Sequence, residues 1–305
     1  MKKTISVPVC RRSLTILDNI VYSSWTDKKE TKHPLELSLL FKNGNLERKL
    51  IMNNAMDHED LLQPQPLILC LTGGGYTHCE RTRILPELQF LAESGYTIAS
   101  IDYRLSSQAG FPAPLEDAIQ AVHYLLQGKE CRIDPERIGI LGRSAGGHAA
   151  LLLGMNCSQA IAQSLKPNFK FQAVCSMYGI GDILTAADYE IQSHYFSKAD
   201  QYPETLFGRF LQAGTEEEFL QKARMASPIN WLNSNMGSIL LLHGNQDPII
   251  PCQASEKLYE KACVQKLDSY IDFRIIEGAG HGSAEFFQPE IQELILKHFD
   301  KNLKR

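Results

Sequence analysis

The sequence predicts an α/β protein in which helices cover both faces of a mostly parallel sheet. Apolar segments of strand length alternate with segments of helical periodicity. Strands are expected at Leu37–Phe41, Leu67–Leu71, Tyr96–Ile101, Ile138–Leu141, Phe171–Met177, Ser238–Leu242 and Tyr270–Ile276. Helices are expected at Ile84–Glu93, Leu115–Leu126, Ala145–Met155, Gln253–Val264 and Glu290–Phe299. Such alternation is typical of parallel strands joined by crossover helices.

Two stretches interrupt this alternation. Residues 42–66 are polar and contain N-G-N and N-N, which indicates a long surface loop or an irregular hairpin. About 60 residues separate Met177 from Ser238, far more than an ordinary connection needs. We therefore expect one domain over residues 1–305 with a cap-like insertion at about residues 179–237.

Composition excludes several classes of protein. The chain is 44% hydrophobic and 22% charged, as expected for a globular protein with a large core. The net charge is −4 and no dense basic stretch occurs, so we expect no nucleic-acid partner. The apolar runs are too short to span a bilayer, and Pro8 and Arg11 interrupt the start before a secretory apolar region could form. We expect a cytoplasmic protein without a membrane partner.

Cysteine and histidine spacing gives no sign of a metal. The eight cysteines show no C-x-x-C spacing and are expected to be reduced thiols. The sequence also lacks H-E-x-x-H. We therefore expect no metal and no cofactor. The oligomeric state stays open, with a homodimer as one option.

The central chemical signal is G-R-S-A-G-G at residues 142–147, between the predicted strand Ile138–Leu141 and the predicted helix Ala145–Met155. A G-x-S-x-G turn in this context holds the serine in a strained backbone conformation and projects its hydroxyl from the edge of the sheet. A glycine-rich helix start that happens to contain serine is the alternative. Ser144 is the predicted nucleophile.

A serine hydroxyl needs a histidine base, and the histidine needs a carboxylate to orient it. Asp247 follows the strand Ser238–Leu242 in H-G-N-Q-D-P, and His281 follows the next strand in G-A-G-H-G. Taken singly, Asp247 could be a turn residue and His281 an ordinary loop histidine. Their joint occurrence after strand ends, in the order serine, acid, base, favours a catalytic triad.

Donors for an oxyanion are expected in T-G-G-G-Y at residues 72–76. Glycines here leave backbone N–H groups unobstructed, and the N–H of Ala145 would join those of Gly74 and Gly75. A phosphate-binding loop is disfavoured because the lysine and Ser/Thr of that motif are missing. We expect Tyr76 and Arg143, which flank these groups, to contact the substrate.

These motifs together resemble the hormone-sensitive-lipase-like and acetyl-xylan/feruloyl-esterase-like branch of the α/β-hydrolase esterases. The resemblance runs from about Leu67 to His281 through T-G-G-G-Y, I-D-Y-R-L-S-S-Q-A-G-F-P-A-P-L-E-D-A, G-R-S-A-G-G-H, H-G-N-Q-D-P and G-A-G-H-G. It implies the α/β-hydrolase fold, Ser144, Asp247 and His281 as nucleophile, acid and base, and an oxyanion hole at Gly74, Gly75 and Ala145. It also implies a structural role for Arg104 with Glu116 or Asp117.

One position departs from the family pattern, because Thr72 stands where a histidine usually precedes the glycines. Any bracing by that imidazole must come from elsewhere. The predicted function is hydrolysis of carboxylic esters, with short-acyl esters of carbohydrates or small molecules as substrates. An arylformamidase or small peptidase is the alternative among enzymes, and a non-catalytic binding protein is the alternative outside them.

Overall fold

The computed structural model describes residues 4–5, 13–42, 64–156, 167–195 and 197–304. Within these residues, eight strands form one sheet in the order β1-β2-β4-β3-β5-β6-β7-β8. The strands are β1 (Leu14–Thr26), β2 (Lys32–Lys42), β3 (Gln65–Leu71), β4 (Thr97–Ile101), β5 (Ile133–Arg143), β6 (Ala173–Met177), β7 (Ser238–Gly244) and β8 (Ile271–Ile276). This arrangement is the α/β-hydrolase fold that the sequence predicts.

The sheet is antiparallel only at one side. β2 runs antiparallel to both of its neighbours, β1 and β4. Every other pair of neighbouring strands, from β4 and β3 to β7 and β8, is parallel. Register brings the carboxyl ends of the central strands together, since Leu71 pairs with Gly142 and Met177 pairs with both Arg143 and Leu242. Loops leaving these strands therefore meet at one edge of the sheet.

Eight α-helices lie within the described residues. They are α1 (Gln89–Glu93), α2 (Ala113–Leu125), α3 (Ala145–Gly154), α4 (Ile183–Ser193), α5 (Leu206–Leu211), α6 (Glu216–Ala226), α7 (Gln253–Val264) and α8 (Pro289–Leu303). None of them is long and apolar enough to cross a membrane.

Both faces of the sheet are buried beneath helices. Alternate residues of β3 point to opposite sides, so Leu69 joins a core with α2, α3 and α7, whereas Ile68 joins a core with α1 and α8. Every residue of β3 after Gln65 and every residue of β4 and β6 is buried. Continuous apolar runs are expected of strands covered on both faces.

Some boundaries differ from the sequence prediction. Strand β1 was not predicted because an irregular register between Leu17 and Ile20, with Asn19 at φ 57°, breaks its alternation. Half of the expected helix Ile84–Glu93 lies in a 3₁₀ helix, Arg81–Leu88, where Pro86 cannot donate a backbone hydrogen bond, and the other half is α1. Of the predicted loop at 42–66, residues 43–63 lie outside the described residues.

The segment between β6 and β7, residues 178–237, carries α4, α5 and α6 and is called the inserted segment below. One of its acidic side chains is buried. Glu190 is 1% exposed, and its carboxylate accepts hydrogen bonds from the N–H of Leu206 and the hydroxyl of Ser197. The carboxylate therefore ties α4 to the start of α5.

Candidate active site

The three predicted triad residues lie where strands end at the carboxyl edge. Ser144 follows β5, Asp247 lies three residues after β7, and His281 lies five residues after β8. Since β5, β6, β7 and β8 are neighbours in the sheet, the loops that carry these residues converge. The site is thus built at the position where open α/β sheets bind ligands.

Ser144 occupies a strained turn between β5 and α3. Its backbone has φ 52° and ψ −120°, a conformation that residues with a side chain seldom adopt. The turn is tight enough that a Cβ on Gly142 would collide with the carbonyl group of Gly146. The N–H of Ser144 donates to the carbonyl oxygen of Met177, which anchors the turn to β6. The predicted strand–turn–helix context of the serine is present.

Hydrogen bonds connect the three side chains in the expected order. Ser144 Oγ lies 2.8 Å from Nε2 of His281, and Nδ1 of His281 lies 2.7 Å from Oδ2 of Asp247. The second distance places the Nδ1 proton between imidazole and carboxylate, which leaves Nε2 free to accept the serine proton. Such an arrangement can activate a hydroxyl for nucleophilic attack.

Asp247 is held as an anion in a buried position. It is 7% exposed, and its Oδ1 accepts hydrogen bonds from the N–H groups of Ile249 and Ile250, each at 2.9 Å. Burial alone would raise the pKa of Asp247, but hydrogen bonds from His243 and His281 outweigh it and hold the pKa well below its usual range. The carboxylate therefore stays ionised when it orients His281.

His243, at the end of β7, is a further partner of the Asp247 carboxylate. Its Nε2 lies 3.3 Å from Oδ2 of Asp247 and 3.0 Å from the carbonyl oxygen of Ile250. Its Nδ1 lies 2.8 Å from the Ser255 hydroxyl. His243 thus contacts the same carboxylate oxygen, Oδ2, as His281 does. Its position four residues before Asp247 was the only available signal.

The glycine-rich loop after β3 lies against the serine turn. A Cβ on Gly73 would come within 3.0 Å of the Ser144 Cβ. Gly74 has φ 134°, and the loop turns back so that its carbonyl accepts hydrogen bonds from the N–H groups of Thr77 and His78. The backbone N–H groups of Gly74 and Gly75 donate no hydrogen bond to any of the described residues. Ala145 opens α3, so its N–H also lacks a partner within the helix.

Tyr76 connects this loop to α3. Its ring is 3% exposed and stacks on Phe210 at 3.7 Å. The hydroxyl lies 2.8 Å from the carbonyl oxygen of Ala145 and 2.6 Å from Nδ1 of His148. Tyr76 lines the pocket, but its hydroxyl points into the protein, and its predicted contact with the substrate stays a prediction.

His148 completes this connection as a neutral ring. Its Nε2 lies 2.6 Å from the carbonyl oxygen of Ala226, which can only accept, so Nε2 carries a proton. Burial lowers the pKa of His148 to about 4. Nδ1 of the neutral ring is therefore an acceptor, and it shares the single proton of the Tyr76 hydroxyl with the carbonyl oxygen of Ala145. Tyr76 and His148 thus tie the glycine loop, α3 and the end of α6 together.

Thr72 is also held by its neighbours. Its backbone carbonyl accepts a hydrogen bond from the Tyr103 hydroxyl at 2.8 Å, and its hydroxyl lies 3.3 Å from Sγ of Cys79. Two buried tyrosines, Tyr76 and Tyr103, therefore brace a loop whose family pattern relies on a histidine. Nothing in the sequence alone indicated these partners.

Arg143 lines the pocket, but its charge is already engaged. It forms an ion pair with Glu87, and its guanidinium lies 4.8 Å from the centre of the Phe287 ring.

Arg104 has the structural role that the family resemblance implies. Its guanidinium donates hydrogen bonds to Asp117 at 2.9 Å and Glu116 at 3.0 Å, which connect the loop after β4 to α2.

A pocket of about 540 Å³ opens above Ser144 and His281. Ser144 and His281 lie at its base with the glycine loop beside them. The rest of the wall includes apolar and aromatic side chains from several loops: Ile84, Tyr178, Ile180, Leu206, Phe207, Ile249, Ile250 and Phe287. Four of these, Tyr178, Ile180, Leu206 and Phe207, come from the inserted segment.

The aromatic residues of the inserted segment differ in position. Phe207 lines the pocket, whereas Phe210 packs under Tyr76, and Tyr202 stacks on Phe219 at 4.7 Å. Tyr195 is 62% exposed, and Phe196 lies outside the described residues. Of the aromatic residues of the inserted segment, Phe207 and Tyr178 therefore line the pocket.

Tyr178 is a pocket residue that sequence reasoning missed. It directly follows β6, and its ring packs against the imidazole of His281 with 4.8 Å between ring centres. Burial raises the pKa of Tyr178 to about 12, so it remains a neutral wall of the site. Its position just after a strand at the carboxyl edge was the signal that could have identified it.

The described residues contain no group of three His, Cys, Asp or Glu side chains placed to hold a metal ion. The six cysteines in this part of the chain are free thiols: Cys70, Cys79, Cys131, Cys175, Cys252 and Cys263.

Comparison with curated proteins finds esterases. The chain is 25% identical over 223 residues to esterase LipC of Mycobacterium tuberculosis, which covers 72% of this chain and 53% of LipC. It is also 25% identical over 197 residues to esterase LipQ of the same organism, which covers 62% of this chain and 44% of LipQ. The chain thus spans about half the length of these relatives.

Solved structures support the fold across nearly the whole chain. A truncated form of a carbohydrate esterase from gut microbiota superimposes with a TM-score of 0.74 at 19% identity, covering 95% of this chain and 97% of the other. A bacterial esterase of the hormone-sensitive lipase family gives 0.65 at 18% identity, with 95% and 84% covered. The BD-FAE family model matches residues 57–262, which include the glycine loop, Ser144 and Asp247. Since this match covers more than half of the sequence, the chain belongs to the BD-FAE family.

Proposed function

We propose that the protein is a serine esterase that hydrolyses carboxylic esters through an acyl-enzyme intermediate. The observation that carries the proposal is the chain of hydrogen bonds from Ser144 through His281 to Asp247 at the base of an apolar pocket. The esterases among its relatives and structural neighbours agree with it.

In the first half of the reaction, Oγ of Ser144 attacks the ester carbonyl carbon while Nε2 of His281 takes its proton. Asp247 stabilises the resulting imidazolium, since it is ionised and lies 2.7 Å from Nδ1. The imidazolium then protonates the leaving alcohol, and the acyl group remains on Ser144. In the second half, water attacks the acyl-enzyme with His281 again as base.

The oxyanion formed in both halves is assigned to the backbone N–H groups of Gly74, Gly75 and Ala145. These groups have no partner among the described residues, and their residues line the same pocket as Ser144. Donors that are already oriented stabilise developing negative charge without reorganising, and one such donor contributes roughly 10²- to 10³-fold to kcat.

The pocket favours short acyl groups. Leu206 and Phe207 of the inserted segment limit it on the side of the glycine loop, where a Cβ on Gly75 would lie 3.0 Å from Leu206. We assign the inserted segment the role of a cap that limits acyl length and contributes no triad residue. Short-acyl esters of carbohydrates or small molecules are the proposed substrates.

The proposal is tested with p-nitrophenyl esters from acetate to palmitate, measured for the wild-type protein, Ser144→Ala and the control Ser107→Ala. Ser107 is exposed and lies outside the pocket. We expect kcat/KM to be highest for acetate or butyrate, normal in the control and lost in Ser144→Ala. A maximum at long chains with activation at a lipid interface would contradict the substrate class, and an active Ser144→Ala would contradict the mechanism.

A further inference from the structure

The β1–β2 hairpin rises beside the proposed catalytic pocket. Leu37 of β2 pairs with Ile101, the last residue of β4, and the N–H of Asp102 donates to the carbonyl oxygen of Glu36 at 2.9 Å. Residues before Glu36 therefore extend past the carboxyl end of β4. The turn that joins the two strands, residues 27–31, therefore lies at the same edge of the sheet as Ser144, the edge formed by the carboxyl ends of the parallel strands.

A crevice of about 420 Å³ separates this hairpin from the loops that follow β3 and β4. We call it the hairpin crevice. Its volume lies within the range of about 300–1,000 Å³ that is usual for small-molecule sites. Six of its lining residues offer an aromatic or polar side chain on which the inference depends: Trp25, His33, Glu80, Arg81, Asp102 and Gln108.

The hairpin crevice lies next to the catalytic pocket. Glu80 lines both, and the chain from His78 to Arg83 forms the ridge between them. A ligand held at Ser144 can therefore extend over this ridge toward the hairpin. In an ester whose acyl group fills the apolar pocket, the part that extends is the alcohol.

One wall of the hairpin crevice is aromatic. Trp25 and His33 are paired across the hairpin and stack with 4.5 Å between ring centres and 20° between planes. Asp27 fixes the imidazole by a 3.1 Å contact with Nε2 of His33. The indole N–H of Trp25 has no partner among the described residues. An aromatic wall with a free donor suits a ligand that is apolar on one face and polar at its edge.

The charges in the crevice disfavour an anionic ligand. The Arg81 guanidinium is bonded to Asp102 at 2.6 Å, Glu36 at 3.0 Å and Asp18 at 3.1 Å. Three carboxylates thus surround one cation that is already engaged, and Glu80 adds a further negative charge. Hydroxyl groups, which both donate and accept, match such fixed carboxylates and amides better than a phosphate or carboxylate would.

We propose that the hairpin crevice is a subsite for one or two neutral sugar rings in the alcohol part of the ester substrate. Ring C–H faces lie against the Trp25–His33 wall, and ring hydroxyls bond Glu80, Asp102 and Gln108. This inference rests on the proposed esterase function for the meaning of the alcohol part. Binding of the sugar itself can be measured without turnover.

The binding experiment uses the two tryptophans of the chain, Trp25 and Trp231. Trp231→Phe leaves Trp25 as the only fluorescent indole and is titrated with xylotetraose and mannotetraose, which carry no ester. We expect a saturable change in emission with at least one of them, and none in Trp25→Phe, where only Trp231 reports. No saturable change of Trp25 emission with either sugar would overturn the subsite.

The kinetic experiment compares acetylated xylotetraose and mannotetraose with p-nitrophenyl acetate and acetylcholine. In Trp25→Ala, the ratio of kcat/KM for the acetylated sugar to that for p-nitrophenyl acetate is expected to fall about 3- to 10-fold through KM. Val21→Ala, at a 51% exposed position of the same strand, is the control and keeps the wild-type ratio. Thr82→Tyr, which fills the crevice from an exposed position, should lower the ratio in the same way.

The outcomes separate the two proposals. An unchanged ratio in both Trp25→Ala and Thr82→Tyr would overturn the subsite, as would a loss confined to acetylcholine, which would indicate a cation site. A wild-type protein that cannot hydrolyse p-nitrophenyl acetate would contradict the esterase function instead, and the fluorescence titration would still decide whether the crevice binds sugar.

Discussion

Tyr76→Phe separates the bracing of the glycine loop from the chemistry of the triad. The substitution removes one oxygen atom and keeps the ring that stacks on Phe210 at 3.7 Å. It leaves Nδ1 of the buried His148 without its donor, 2.6 Å from where the hydroxyl was. The triad itself is untouched.

The magnitude follows from these contacts. An unsatisfied buried acceptor costs about 1–3 kcal/mol of the free energy of unfolding. Complete loss of one oxyanion donor would lower kcat by roughly 10²- to 10³-fold, and a loosened loop should lose only part of that. We therefore expect kcat to fall about 5- to 50-fold, with KM changed less than about 2-fold because the pocket walls remain.

The assay is steady-state hydrolysis of p-nitrophenyl acetate, with stability measured by urea unfolding. Tyr202→Phe is the matched control, since it also removes a bonded hydroxyl, 2.6 Å from Asp188, away from the pocket. It should lower stability and leave kcat unchanged. If Tyr76→Phe lowered stability but kept the wild-type kcat, the loop would not depend on this brace, and the reasoning would be wrong.

Three further predictions concern the acid, a buried histidine and the cap. Asp247→Asn should lower kcat by about 10³- to 10⁴-fold, because an amide can hold His281 in the wrong tautomer; a neutral effect on p-nitrophenyl acetate turnover would place the acid elsewhere. His148 should make the fold acid-sensitive: its pKa falls from 6.5 to about 4 on folding, so the unfolded chain takes up its proton first. Its contribution is present above pH 6.5 and is lost as pH falls toward 4; a shift of about 2.5 pH units at about 1.4 kcal/mol each corresponds to about 3 to 4 kcal/mol. Urea unfolding at pH 7 and pH 4.5 should show a smaller loss for His148→Gln than for the wild type, and equal losses would refute the assignment. Leu206→Ala should raise kcat/KM for octanoate relative to acetate several-fold by enlarging the pocket, whereas Leu184→Ala on α4 should not; an unchanged ratio would remove Leu206 from the acyl pocket.

The sequence was most informative where chemistry depends on strand ends. Ser144, Asp247 and His281 each follow a strand, and parallel strands bring their carboxyl ends to one edge, so order along the chain predicted proximity in space. The apolar runs of β3 and β6 predicted strands for the same reason that they are buried on both faces.

Contacts between distant side chains could not be read in this way. The bond from Tyr76 to His148 spans 72 residues, and the hairpin crevice joins residues from three separate segments. Strand β1 was missed because its irregular register near Asn19 breaks the alternation by which a strand is recognised. These features depend on the three-dimensional path of the chain.

Covalent labelling shows whether Ser144 is the nucleophile. The wild-type protein and Ser144→Ala are incubated with a fluorophosphonate, digested and analysed by mass spectrometry. We expect one adduct, on the peptide that contains Ser144, formed in step with the loss of p-nitrophenyl acetate hydrolysis and absent from Ser144→Ala. An active wild-type protein that is not labelled, or an adduct that persists in Ser144→Ala, would contradict the assignment of Ser144 as the nucleophile.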